Sequence, residues 1–91
     1  MIDIEVQGIP CVFNDEALSD FEMLEKLAAL KDGDITALVA FSRGIFGMEQ
    51  FDNIKESLRD ENGVVQLLDV NNFVNQAVMA AAEVKRANEK N

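Results

Sequence analysis

Lys31-Asp32-Gly33-Asp34-Ile35-Thr36-Ala37-Leu38-Val39-Ala40-Phe41-Ser42-Arg43-Gly44-Ile45-Phe46-Gly47 is the stretch on which the fold turns. A cation followed by glycine closes one helix, because Lys31 favours the negative end of its dipole and Gly33 is free to take a left-handed conformation. Asp34 then stands where a side-chain oxygen caps the next helix. Ile35, Leu38, Val39, Phe41, Ile45 and Phe46 cover more than one stripe of that helix, where a surface helix needs only one. Gly47 breaks it. This middle helix therefore predicts either burial by neighbours on two sides or an apolar patch kept for a partner or a second copy of the chain.

Reading downstream, Met48, Phe51, Ile54 and Leu58 mark a third helix. Asn62-Gly63 is turn chemistry, and a last helix capped near Asp69 carries Val70, Phe73, Val74, Ala77, Val78 and Ala81 at helical spacing. From Glu83 the pattern fades, and residues 83–91 read as a polar, frayed tail. Upstream, Ser19 and Glu22 have the spacing of a capping box, with a start one turn earlier at Asn14 or Asp15 equally open. Leu18, Phe21, Leu24 and Ala28 form one stripe of that helix; Met23, Leu27 and Leu30 form a second. Before it, Ile2, Ile4 and Val6 alternate with polar residues, Gln7-Gly8 offers a tight turn, and Ile9, Cys11 and Phe13 resume the apolar face. Pro10 cannot donate to a ladder, so the returning strand is short or lies at an edge. The expectation is a mainly α (α+β) domain over residues 1–82, with a short hairpin at 1–14 and about four helices.

At 91 residues, 48% hydrophobic and 27% charged, the chain has room for one modest core. Its net charge of −9 is unevenly spread. Asp and Glu outnumber Lys and Arg fourteen to five over residues 1–62, and are level at three each over residues 63–91. Such a surface repels phosphate backbones and anionic bilayers, which argues against nucleic-acid and membrane partners. Arg43 interrupts the longest apolar run, and the acidic start Met1-Ile-Asp-Ile-Glu5 is unlike a signal peptide. With a lone cysteine, these features point to the cytoplasm.

Chemistry is hard to place on this chain. There is no histidine, which removes the commonest general base and metal ligand. Cys11 has nothing to activate it and reads as a small core residue; Ser19, Ser42 and Ser57 lack partners for a triad. Asp32, Asp34 and Thr36 imitate the start of a calcium loop, but Ala37 and Arg43 occupy the positions that need glycine and glutamate. The glycine of Asp60-Glu-Asn-Gly63 comes too early for the same motif. Gly44-Ile-Phe-Gly47 imitates a nucleotide-clamping loop, yet within an acidic domain it reads as helix-end punctuation. No catalytic residue, cofactor or metal is expected.

The runs Phe13-Asn-Asp-Glu-Ala-Leu-Ser-Asp-Phe-Glu-Met-Leu-Glu-Lys-Leu27, Lys31-Asp-Gly-Asp-Ile-Thr-Ala-Leu38 and Gly47-Met-Glu-Gln-Phe-Asp-Asn-Ile-Lys-Glu-Ser-Leu-Arg-Asp-Glu-Asn-Gly63, with Asn72-Phe-Val74 in the final helix, resemble small tail assembly chaperones of long-tailed bacteriophages and prophages. The resemblance runs from Phe13 to about Met79 and rests on caps, turns and apolar positions. It implies a holdase, in the bacterial host cytoplasm, for the tape measure protein, the long helical chain that sets tail length; a homo-oligomer is expected separately, from the edge-prone hairpin and the doubly apolar helices. The client is covered until tail tube subunits polymerise around it. The chain would correspond to the short of two forms, the longer arising by frameshifting. By the same resemblance, Phe41, Ile45, Phe46, Met48 and Phe51 are the nearest candidates for partner contact. A competing expectation is a small acidic adaptor, inhibitor-like or antitoxin-like, that masks a basic partner surface.

Overall fold

Alternation at the N-terminus becomes a two-stranded antiparallel hairpin, β1 (Ile2–Val6) and β2 (Ile9–Phe13), in register from Ile2 opposite Phe13 to Val6 opposite Ile9. Both turn residues have positive φ, 54° at Gln7 and 78° at Gly8, as the twist-matched two-residue turn demands. Ile2, Ile4, Val6, Cys11 and Phe13 all point to the interior. The structure, a computed structural model, describes residues 1–89.

A 3₁₀ turn (Asp15–Ser19) leads into α1 (Phe21–Lys31), then α2 (Thr36–Phe46), α3 (Met48–Leu58) and α4 (Leu67–Glu89). The elements match the expected hairpin and four helices; the caps shift. Ser19 is used up as the end of the 3₁₀ turn, and Asp20 caps α1 instead, its carboxylate accepting from the Glu22 N–H at 2.9 Å. Asp34 accepts from both the backbone N–H and the hydroxyl of Thr36, at 3.1 and 2.5 Å, and so seats the start of α2. α4 begins at Leu67, ahead of the expected cap; Asp69 lies in its first turn, where a negative charge still meets the helix dipole favourably. The stretch expected to fray continues α4 from Glu83 to Glu89, and residues 90–91 lie outside the described residues.

Packing explains why α2 is apolar on more than one side. Ala37, Leu38, Phe41, Ser42, Ile45 and Phe46 are all buried, because α1 covers one side of the helix and α3 the other. Phe46 joins the layers, meeting Phe13 of β2 edge-on at 6.2 Å between ring centroids and Phe73 of α4 at 6.1 Å. α4 lies across β1 and buries Val70, Phe73, Val74, Ala77 and Ala81 along one stripe.

Two glycines do different work. Gly47 has φ 79° and turns the chain between α2 and α3. Gly44 is inside α2, not at its end: the tip of the Met23 side chain from α1 fills the space beside it, its sulfur 2.6 Å from where a Cβ would stand.

Candidate functional site

Arg59-Asp60-Glu61-Asn62-Gly63, between α3 and α4, is a self-contained turn. The Asp60 carboxylate accepts from the N–H groups of Asn62 and Val64 and from the Gln66 amide, each at 2.9 Å, while Arg59 donates to the Gly63 carbonyl at 2.7 Å. The Gln66 and Val64 hydrogen bonds hold the Asp60 carboxyl below its ordinary pKa. Both carboxylate oxygens accept from structural donors, so this acid orders a loop.

The other chemistry-bearing groups are placed just as quietly. Cys11 is buried on the hairpin face, and burial pushes its thiol pKa up. Among the described residues no group of three or more histidine, cysteine or acidic side chains is disposed to hold a metal ion. No helix among them is long and apolar enough to cross a membrane.

Of the five residues singled out for partner contact, four belong to the interior. Phe41 and Ile45 are fully buried, and Phe46 and Phe51 nearly so. Their apolarity is accounted for by the core, and of the four Phe51 also faces an open groove. Met48, at the start of α3, is 65% exposed beside a shallow, mixed-polarity hollow.

A second, more apolar groove lies between α2, α3 and α4. Leu38, Phe51 and Val70, from α2, α3 and α4, form the floor of a groove of about 350 Å³. Its walls are Val39, 46% exposed, and Leu67, 51% exposed, with Val65 between helices. Ile35 at the N-cap and Val39 and Arg43 within α2 follow one another at intervals of four, so they line up as a ridge beside it. Arg43 and Lys55 stand at its lip. Ile35 and Val64 add further exposed apolar surface from the adjoining segments.

In the sequence Val39 is one more apolar position of α2, and nothing singles out Leu67. The signal the sequence holds is the apolar ridge of α2 ending in Arg43. The opposite wall cannot be read this way, since Leu67 reaches α2 only through the turn at residues 59–66. Comparison of the chain with protein-family models, curated proteins and solved structures finds no match.

Proposed function

We propose that this chain is a non-catalytic tail assembly chaperone that binds amphipathic helical segments of the tape measure protein in the groove between α2, α3 and α4, keeping that client soluble until tail tube subunits enclose it. The observation that carries the reading is the groove itself. It is an open apolar trough with a buried floor and half-exposed aliphatic walls, which is the form that accepts the apolar face of a helix. A net charge of −9 supports it, since a holdase must keep a complex soluble while its apolar surface is engaged. The resemblance to tail assembly chaperones supplies the client's identity.

Co-expression with the tape measure protein of the same genome tests this. The client is expected in the soluble fraction, in complex with the wild-type chain, and in the insoluble fraction when Val39→Asp and Leu67→Asp are combined. Both side chains are about half exposed, so circular dichroism of that variant should remain helical. A client that stays insoluble with the wild-type chain, with no complex recovered, overturns the proposal.

A further inference from the structure

The groove's lip carries a charge that no carboxylate among the described residues pairs with. The chain has three arginines. Arg59 pairs with Glu56 at 2.6 Å and Arg86 with Glu83 at 3.0 Å, each across three residues of its own segment. Arg43 has no such option, because the residues three and four away from it are Val39, Ala40, Phe46 and Gly47. Among the described residues its guanidinium meets no carboxylate within ion-pair distance, in a chain with seventeen acids. Lys55, the other cation at the lip, is already engaged: its ammonium lies 3.0 Å from Asp52 and 5.3 Å from the Phe51 ring centre.

From this we infer that the groove selects among helices, taking those with an Asp or Glu at the edge of the apolar stripe, and that Arg43 is the residue that recognises it. The inference rests on the proposed helix-binding role of the groove. A guanidinium presents a planar fork that a carboxylate matches with two hydrogen bonds. Beside an apolar wall such a pair is screened less than one in open water. The acidic remainder of the surface disfavours such a ligand at long range, so discrimination must come from this local contact.

The test uses two designed amphipathic peptides of about 20 residues, long enough to hold helix in water. They share one stripe of leucines and differ only in having Glu or Lys along its edge. Binding is measured by fluorescence anisotropy to the wild-type chain, to Arg43→Gln, and to Lys31→Gln, which removes an equal charge from α1, away from the groove. The Glu peptide is expected to bind Arg43→Gln about tenfold more weakly than wild type, a difference of ~1.4 kcal/mol. Lys31→Gln should leave its affinity unchanged, and the Lys peptide should not lose affinity in Arg43→Gln. If both peptides bind, Val39→Asp abolishes binding, and Arg43→Gln behaves like Lys31→Gln, the groove is a helix site without this selectivity and the inference falls alone. If neither peptide binds the wild-type chain, the helix-binding reading falls and takes the inference with it. Sedimentation showing self-association that Val39→Asp removes, with no peptide uptake, would assign the groove to a second copy and overturn the inference as well.

Discussion

Ser42 is fully buried in α2, and its hydroxyl has no hydrogen-bond partner among the described residues. A buried, unsatisfied hydroxyl costs the desolvation that a partner would have offset. Serine is also a poorer helix former than alanine, by a few tenths of a kcal/mol. Ser42→Ala should therefore stabilise the domain by about 0.5–1.5 kcal/mol, seen as a higher urea midpoint with unchanged slope. A loss of stability would mean that the hydroxyl has a partner. At this scale the sequence was informative about some residues and silent about others. Cys11 was legible as core because its strand alternates. Phe41 was not, because its place off the main stripe fits both a doubly buried helix and a surface patch; only the positions of α1 and α3 distinguish the two. Gly44 reads as punctuation in the sequence, whereas it lies within α2 against the tip of Met23, twenty-one residues earlier.

Elements of this small fold close one another's exposed edges, and Gln50 shows how. In the hairpin ladder Val12 and Pro10 face away from β1, since the paired positions alternate in direction. Pro10 has no N–H to offer. The Val12 N–H donates to the Gln50 side-chain oxygen at 2.8 Å, and the Gln50 amide donates to the carbonyls of Val12 at 2.8 Å and Phe46 at 2.9 Å. The Asn14 N–H donates to the Ile45 carbonyl at 2.8 Å. One amide of α3 thus stands in for a third strand, and the outer edge of β2 offers another chain no free donor at these positions. Gln50→Ala should destabilise the domain by about 1–2 kcal/mol, because it leaves the Val12 groups without their partner. It should also speed aggregation on gentle heating, followed by light scattering, while Gln50→Asn, too short to span the gap, should not rescue it. Equal aggregation of Gln50→Ala and wild type would show that the edge is guarded by other means. Hairpin, turns and four helices were all readable from periodicity and from glycine and proline placement. This edge closure was not, because a glutamine on a helix carries no local sign of the strand it serves.

Over the whole molecule, core and groove share side chains, and that sharing sets what a mutation can reveal. Leu38, Phe51 and Val70 face the groove while remaining buried, so substitutions there confound folding with recognition. Phe41 is the extreme case. It is 0% exposed, and Phe41→Asp would put an unpaired carboxylate into the interior, at a cost of several kcal/mol on top of the lost aromatic packing. Against the total stability of ~5–15 kcal/mol usual for a domain, that is enough to unfold much of the population. Met48→Asp is the matching control: the side chain is 65% exposed at the first position of α3, where an acid meets the positive end of the helix dipole. Circular dichroism and thermal melting should therefore separate the two, with Phe41→Asp losing helical signal and Met48→Asp retaining both signal and midpoint within a few degrees. If Phe41→Asp instead kept a wild-type melt, the ring would have to leave the core at little cost. Phe41 would then return as a candidate for direct partner contact, and the groove would no longer be the surface to which binding is best assigned.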